Sequence, residues 1–287
     1  MERNTKVEII MKLIEPKVEL LSELDITLES HIARCARVCY GKEYKEPNQE
    51  ADEKMVRGLI KRGHLSMLRH ASFYEYSQRV GVVESWMFSP YVIRISSDTL
   101  DYLSTNGQYV YENGFSLPYS FSPKAFLEEC KKTPLLFNLF RLTFCITTQI
   151  STSRELNRVS PNAIAERSTR FCTSKDGLEI VRPWWWNGDD SRRINKIRYE
   201  NAVNKAEFCY RCMIDDGMKP EDARGVLPLD TATKVIYTYS VQEWKHIIDL
   251  RYYGTTGRPH PNAKLVIGMV REQINQFAKE NNIDFQV

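Results

Sequence analysis

The chain has 287 residues, of which 42% are hydrophobic and 27% charged, and its formal net charge is +3. This composition is typical of a folded globular protein, and it excludes wholesale disorder and a coiled coil. The small net charge argues against a general nucleic-acid binder, although a local basic cluster could still bind a small anion.

The sequence also bounds the compartment and the metal content. No stretch is long and apolar enough to span a bilayer, and residues 1–20 lack the unbroken apolar segment of a secretory signal. The seven cysteines have no regular spacing, which fits reduced thiols better than a disulfide framework. These features predict a cytoplasmic protein that has no membrane partner and binds no metal.

Hydrophobic periodicity and turn residues predict the elements of the first half of the chain. In chain order these are strands over 5–24 with a turn at Glu15-Pro16, a helix over 28–39, a helix over 50–62, a strand over 73–83, and an aromatic and turn-rich segment over 86–132. We interpret the last segment as an inserted hairpin or loop region, because it lacks any sustained period.

The second half begins with a strongly apolar run, which we expect to be a buried helix over 135–150. The elements that follow are a strand over 178–181, a helix over 192–217, a strand or helix over 231–239, a helix over 242–251 and a last helix over 264–279. There is no internal repeat and no low-complexity linker. We therefore expect one α+β domain over 1–287, in which helices pack on a mixed or antiparallel sheet.

The run from Ser151 to Cys172 is the densest in charge and the first candidate for a binding site. It interleaves arginines and glutamates with hydroxyl-bearing and small residues, and Pro161 interrupts it. Guanidinium groups and hydroxyls together suit the binding of phosphate, because both donate hydrogen bonds to its oxygens. A solvated charged surface is the alternative that composition alone leaves open.

Several stretches together resemble the flavin-dependent thymidylate synthases, which methylate dUMP using FAD, NADPH and methylenetetrahydrofolate. That family carries Arg-His-Arg, two free positions, then Ser-x-Asn-Glu-x-Ser-x-Arg-Tyr, and this signature falls without gaps on 158–171. The other stretches that resemble the family are Ala36-Arg37-Val38-Cys39-Tyr40, the run from Gly63 to His70, the run from Ala223 to Leu229, Leu250-Arg251 and His260-Pro261.

On the nucleotide side, the resemblance implies roles for six residues. Ser168, Arg170 and Arg224 would hold the dUMP phosphate, and the resemblance also places Glu166 at the nucleotide. Glu155 stands where the family often has a glutamine that contacts the nucleotide, and it could bond a sugar hydroxyl. Arg251 would be the catalytic residue, because a cation at the pyrimidine carbonyl edge stabilises negative charge on the base.

On the cofactor side, the resemblance implies that FAD, rather than a side-chain nucleophile, supplies the reactive group. The flavin-contacting positions are His64, Ser66, Arg158, Ser240, His246 and His260. The resemblance further implies a homotetramer whose sites are built between subunits.

The chain departs from the family pattern mainly on the flavin side. Val159-Ser160 replaces His-Arg, Ala163 replaces serine, Ala165 replaces asparagine, and Arg69 stands where the family has the glutamate before His70. The loss of a cation and an imidazole should weaken flavin binding by roughly 1.5–3 kcal/mol for each charged hydrogen bond. We therefore expect a retained nucleotide pocket beside an altered flavin pocket.

Three hypotheses follow from this pattern. The first is a working flavin-dependent thymidylate synthase with a rebuilt cofactor site, in which Arg69 or Arg167 replaces the missing arginine. The second is a divergent homologue that binds a pyrimidine nucleotide without flavin-dependent methylation. The third is an oligomerising scaffold that binds no nucleotide.

Overall fold

The computed structural model describes residues 11–22, 24–42, 46–78, 89–113, 120–159, 163–170, 177–187 and 192–287. Its β-strands are β1 (Lys12–Ile14), β2 (Lys17–Leu20), β3 (Ser72–Gln78), β4 (Ile93–Ser96), β5 (Leu100–Asn106), β6 (Ser120–Phe121), β7 (Arg141–Gln149), β8 (Ile164–Glu166), β9 (Glu179–Val181) and β10 (Ala232–Ser240).

The strands form two antiparallel sheets and one small parallel pair. The first sheet has the order β2-β7-β10-β8, and the second has the order β4-β5-β3-β6. Strands β1 and β9 pair in parallel. The longest pairing is between β7 and β10, which run antiparallel over nine residues each. The expected α+β class with an antiparallel sheet is confirmed.

The α-helices are α1 (Leu28–Val38), α2 (Gln49–Lys61), α3 (Gly107–Asn113), α4 (Pro123–Lys132), α5 (Ile150–Leu156), α6 (Arg193–Asp215), α7 (Pro220–Ala223), α8 (Val241–Ile248) and α9 (Pro261–Glu280). Polar side chains accept hydrogen bonds from the first turn of α1, α2 and α4, at Thr27, Asn48 and Ser122. In the part of the chain that the structure describes, no helix is both long and apolar enough to cross a membrane.

The predicted helix over 135–150 is wrong. A short 3-10 helix, Pro134–Leu139, is followed by strand β7, in which all nine residues are buried. Strand β7 lies between β2 and β10, and both of its faces are covered. A strand buried on both faces shows a continuous apolar run rather than alternation, and this run cannot be told from a buried helix by periodicity.

Most other predicted elements are confirmed, with shifted ends. Strands β1 and β2 lie on either side of Glu15-Pro16, and residues 5–10 and 23 of that prediction lie outside the described part, as do residues 79–83 of the predicted strand over 73–83. The segment 231–239, left open between strand and helix, is strand β10. Helix α8 ends at Ile248 and continues as a π-helical turn, Asp249–Tyr253.

The segment 86–132 contains more regular structure than expected. Its described residues include the hairpin β4–β5, and β5 pairs with β3 over seven residues. Helices α3 and α4 were not predicted. Tyr74 of β3 packs in the same buried core as Phe144 of β7, and its hydroxyl accepts a hydrogen bond from the Arg141 backbone N–H at 2.9 Å. The two large sheets therefore share one core.

Candidate functional site

The loop that follows β8 contains Ser168 and Arg170, two of the predicted phosphate ligands. Its backbone is held from two sides, because the Arg167 N–H donates to the Lys234 carbonyl at 2.8 Å and the Ser168 N–H donates to the Cys39 carbonyl at 3.1 Å. The Ser168 hydroxyl in turn accepts from the Arg170 N–H at 3.2 Å. The loop is thereby fixed on β10 and on the end of α1.

Arg224, the third predicted phosphate ligand, lies against the same loop. It follows helix α7, and its Nη1 donates to the Thr169 hydroxyl at 3.0 Å. Its Nε donates to the Glu221 backbone carbonyl at 3.1 Å. Arg170 and Arg224, which are 54 positions apart in sequence, thus lie at the same loop.

A carboxylate that the sequence analysis missed pairs with the first of these cations, Arg170. Oε2 of Glu221, on α7, accepts from Arg170 Nη2 at 3.2 Å and from its Nε at 3.4 Å. The side chains of Arg170 and Glu221 are 54% and 36% exposed, so solvent and a ligand can reach the pair. Glu221 lies three residues before Arg224, and this spacing on a short helix was the available signal.

Glu166 lies on β8, just before the loop, and is held by three side chains. Its Oε1 accepts from the Ser153 hydroxyl at 2.8 Å and from the Thr233 hydroxyl at 3.2 Å, and its Oε2 accepts from Asn157 Nδ2 at 3.3 Å. The Tyr237 hydroxyl donates to Asn157 Oδ1 at 2.7 Å. These bonds give Glu166 a role in positioning the loop, and one carboxylate can still accept from a further donor.

Arg251, the predicted catalytic residue, lies in the π-helical turn and reaches helix α5. Its Nη2 donates to the backbone carbonyl of Glu155 at 3.3 Å. Its Nε is buried and has no hydrogen-bond partner among the described residues. Single π-helical turns are rare and occur often at functional sites. The structure therefore brings together Arg251 and Glu155, two of the predicted nucleotide residues.

The predicted flavin residues fall into two groups. Five are exposed, namely His64, Ser66, Arg158, His246 and His260. Ser240 is instead fully buried, and its hydroxyl and backbone N–H both bond the Glu243 side chain in a capping box that begins α8. The exposed residues can contact a ligand at the surface, and of these His260 also accepts a hydrogen bond from the Asn262 N–H at the start of α9. The hydroxyl of the buried Ser240 is instead bonded to Glu243.

Three of the positions at which the sequence analysis expects departures from the family signature lie towards the protein interior. Ala163 and Ala165 are buried, and the partly buried Val159 packs against the main core. Ser160 and Phe171 lie outside the described residues. Arg69 is bound elsewhere, since its Nε donates to Gln108 Oε1 at 2.6 Å and its guanidinium lies 5.1 Å from the Tyr91 ring centroid.

A buried hydrogen-bond chain supports the 3-10 helix Leu65–His70, which carries Ser66. His70 Nδ1 and the Thr238 hydroxyl are 2.8 Å apart, Thr238 and Thr143 are 2.8 Å apart, and Thr143 and His31 Nε2 are 3.1 Å apart. Burial lowers the pKa of His70 to about 3, and the nearby His31 and Arg141 add to this effect. His70 is therefore a neutral structural group that fixes this helix on β10.

These contacts define what the site can do chemically. The guanidinium groups of Arg170 and Arg224 and the hydroxyls of Ser168 and Thr169 lie on or against the loop after β8. This combination suits a phosphate dianion, which it can bind through charge-assisted hydrogen bonds. A third arginine, Arg251, lies against the last turn of α5, where it can contact a neutral acceptor. The site therefore suits a small phosphorylated ligand.

Known proteins resemble the chain at several levels. A flavin-dependent thymidylate synthase from Geobacter sulfurreducens is 34% identical over 100 residues, which are 34% of this chain and 42% of that relative. The match thus spans less than half of the relative's length.

Two solved structures resemble the chain more loosely. Both are of the UMP/dUMP methylase PolB from Streptomyces cacaoi. The one bound with 5-Br UMP is 16% identical, covers 96% of this chain and 95% of that chain, and has a TM-score of 0.46. The one bound with 5-Br dUMP is 15% identical, covers 94% and 93%, and has a TM-score of 0.45. Superpositions at this level are too loose to establish a shared function.

The family match is the broadest of these likenesses. Residues 125–278, more than half of the chain, match the family described as thymidylate synthase complementing protein. The matched range includes β7, β8, β10, the charged run and three of the arginines placed above. The chain therefore belongs to the thymidylate synthase complementing protein family.

Proposed function

We propose that the protein binds dUMP and converts it to dTMP by reductive methylation, with methylenetetrahydrofolate as the methylene donor and NADPH as the reductant. The observation that carries this proposal is the convergence of Arg170 and Arg224 on one loop, in a chain of this family. The relative from Geobacter sulfurreducens, which is named a flavin-dependent thymidylate synthase, supports the same reaction.

The phosphate of dUMP would lie at the loop after β8. Arg170 and Arg224 offset its two negative charges, and the Ser168 hydroxyl adds a neutral donor. Glu166 holds the loop through Ser153 and Asn157, and one of its oxygens can still accept a hydrogen bond from the nucleotide. Glu155 lies on α5, where its carboxylate would accept a hydrogen bond from a sugar hydroxyl.

Arg251 would contact the pyrimidine carbonyl edge. The Nε of Arg251 is covered by protein, but the residue is only partly buried, so the accessible part of its guanidinium can donate to a ligand oxygen. A guanidinium there stabilises negative charge on the carbonyl oxygen, which makes the ring more electrophilic. Because Arg251 is bonded to a backbone carbonyl, it is held in place before the ligand arrives.

FAD is the proposed cofactor, and it supplies hydride chemistry when bound. The described residues fit it in part. The exposed His64, Ser66, Arg158, His246 and His260 offer donors suited to a pyrophosphate and a flavin ring, whereas the hydroxyl of Ser240 is occupied by Glu243. We assign FAD contacts to the five exposed residues.

The assembly that we propose is a homotetramer in the cytoplasm, with sites built between subunits. The resemblance to the flavin-dependent thymidylate synthases supports this proposal. A site shared between subunits agrees with the exposure of the predicted cofactor residues, since an exposed residue is free to meet a neighbouring subunit's ligand.

A second function is favoured by one observation. Val159, Ala163 and Ala165 pack inward as apolar residues at positions where the family signature has polar ones. A chain that lacks those polar groups could bind a pyrimidine nucleotide without flavin-dependent methylation. The nucleotide half of the site would be the same in both cases.

The visible spectrum of the purified protein and two titrations distinguish these functions. A flavin absorption band, together with dTMP formation from dUMP, NADPH and methylenetetrahydrofolate, supports the methylating enzyme. Calorimetric binding of dUMP to a colourless protein that does not bind added FAD supports the second function. Failure to bind dUMP, with or without FAD, would refute both.

A further inference from the structure

We propose that Glu221 is an internal counterion that the phosphate of the nucleotide must displace from Arg170, so that this carboxylate sets how tightly and how selectively the site binds phosphate esters. The inference rests on the proposed function, because it concerns the same cation pair. It adds a specificity-determining residue that the motif comparison does not contain.

The geometry places the Glu221 carboxylate where a phosphate oxygen would bind. One oxygen, Oε2, accepts from both Nε and Nη2 of Arg170, at 3.4 and 3.2 Å. These are two of the donors that a guanidinium offers to a phosphate in a two-point contact. A phosphate on that side of Arg170 therefore competes with Glu221 for the same donors.

Glu221 is also tied to the second cation, through its backbone. Arg224 Nε donates to the Glu221 carbonyl at 3.1 Å, and Arg224 Nη1 donates to the Thr169 hydroxyl. The backbone of Glu221 thus keeps Arg224 beside the loop, while only its side chain competes for Arg170. A substitution that changes the side chain alone separates these two roles.

The magnitude of this competition follows from exposure. The side chains of Arg170 and Glu221 are 54% and 36% exposed, and ion pairs this exposed to solvent are weak. A nucleotide phosphate carries close to two negative charges and can replace one carboxylate, whereas a neutral nucleoside cannot. Glu221 should therefore weaken the binding of dUMP and leave deoxyuridine binding unchanged.

The experiment measures dissociation constants for dUMP and for deoxyuridine by calorimetry, with the full-length wild type, E221Q and D222N. Glutamine keeps the shape of the side chain and removes its charge. Asp222 is the adjacent exposed acid on α7, so D222N removes the same charge beside the site and serves as a matched control.

We expect E221Q to bind dUMP roughly two- to fivefold more tightly than the wild type at low ionic strength. The gain in dUMP affinity should be smaller at about 0.15 M salt, because salt screens electrostatic interactions between exposed charges. Deoxyuridine affinity should not change, and D222N should resemble the wild type.

Each other result has a defined meaning. If the wild type binds dUMP and E221Q binds it equally or more weakly, Glu221 positions Arg170 instead of competing, and the inference is wrong while the proposed function stands. If D222N gains as much affinity for dUMP as E221Q, the effect comes from the change in net charge near the site, and the inference is also wrong. If neither the wild type nor E221Q binds dUMP, both the inference and the proposed function fail.

Discussion

At the scale of single residues, Arg170 is expected to contribute much to binding and little to stability. Its side chain is half exposed and its bond to Glu221 is a surface ion pair. Arg170→Ala should weaken dUMP binding by roughly 10- to 150-fold, the equivalent of one charged hydrogen bond of about 1.5–3 kcal/mol. Calorimetric titration of dUMP measures this loss, and thermal unfolding should show an unchanged Tm.

The matched control for this variant is Arg193→Ala, which removes the same charge from an exposed position at the start of α6. Its dUMP affinity should equal that of the wild type. Wild-type affinity in both variants would show that the phosphate binds elsewhere, and an equal loss of affinity in both would point to a general effect of net charge.

His70 makes stability depend on pH. Its pKa is about 3 in the folded protein and about 6.5 in an unfolded chain, so the unfolded state binds a proton that the folded state rejects. The stabilisation is present above pH 6.5 and is lost as pH falls from 6.5 towards 3. Between pH 7 and pH 5 the loss should be about 2 kcal/mol.

Urea unfolding of the wild type and of His70→Gln at pH 7 and pH 5 measures this effect. Between these pH values the free energy of unfolding of the variant should fall by about 2 kcal/mol less than that of the wild type. Since the substitution affects a buried group, histidine proton shifts of the wild type provide an independent check. A His70 resonance that titrates near pH 6 would contradict the prediction.

Only some of the residues of the candidate site could be predicted from the sequence. The cluster of Ser168, Arg170 and Arg224 follows from motif positions and from the affinity of guanidinium for phosphate. Glu221 was not found, because its effect depends on which way a surface side chain points. Ser240 shows the reverse, since its position matches a motif but its hydroxyl caps a helix.

At the scale of elements, helices α1 and α2 are joined by a buried ion pair. Arg37 Nη2 lies 2.6 Å from Asp52 Oδ1, and the two side chains are 19% and 0% exposed. Asp52→Asn leaves the guanidinium largely buried without its charged partner, and it should lower the free energy of unfolding by about 3 kcal/mol. Urea denaturation measures the change.

The neighbouring residue of α2 provides the control. Glu53 pairs with Arg57 one turn away, at 3.1 Å, and both side chains are well exposed. Glu53→Gln should therefore change stability by less than about 0.5 kcal/mol. A loss from Asp52→Asn no larger than this would mean that solvent screens the Arg37 pair as well.

Elements such as α2 were predictable because one face is exposed to solvent and the other is buried. The prediction failed for strand β7 because both of its faces are buried, so the sequence shows no alternation of apolar and polar residues. The β-branched residues Thr143, Ile146, Thr147 and Thr148 were the remaining signal for a strand. Which elements cover the two faces of β7 depends on partners distant in sequence, and no local pattern specifies them.

At the scale of the whole molecule, one core joins both large sheets. Tyr74 of the second sheet packs with Phe126 and Phe140 at ring-centroid distances of 4.4 and 5.5 Å, and it shares the core with Tyr237 of the first sheet. Neither sheet can open without exposing that core. We therefore expect a single cooperative unfolding transition, as a one-domain chain requires.

Calorimetry tests this expectation through the ratio of calorimetric to van't Hoff enthalpy, which should be close to one per cooperative unit. Far-ultraviolet circular dichroism and tryptophan fluorescence should give coincident transitions. Two separated transitions would show that the segment 86–132 and its sheet unfold as an independent unit.

The bond from Arg251 to the Glu155 carbonyl has a consequence for sequence tolerance. Every amino acid presents the same backbone oxygen, so the anchor of Arg251 does not depend on which side chain occupies position 155. Under the proposed function, mutagenesis at that position should therefore alter contacts to the sugar while the arginine stays in place. We therefore expect substitutions at position 155 to be able to change a preference between ribose and deoxyribose without moving Arg251.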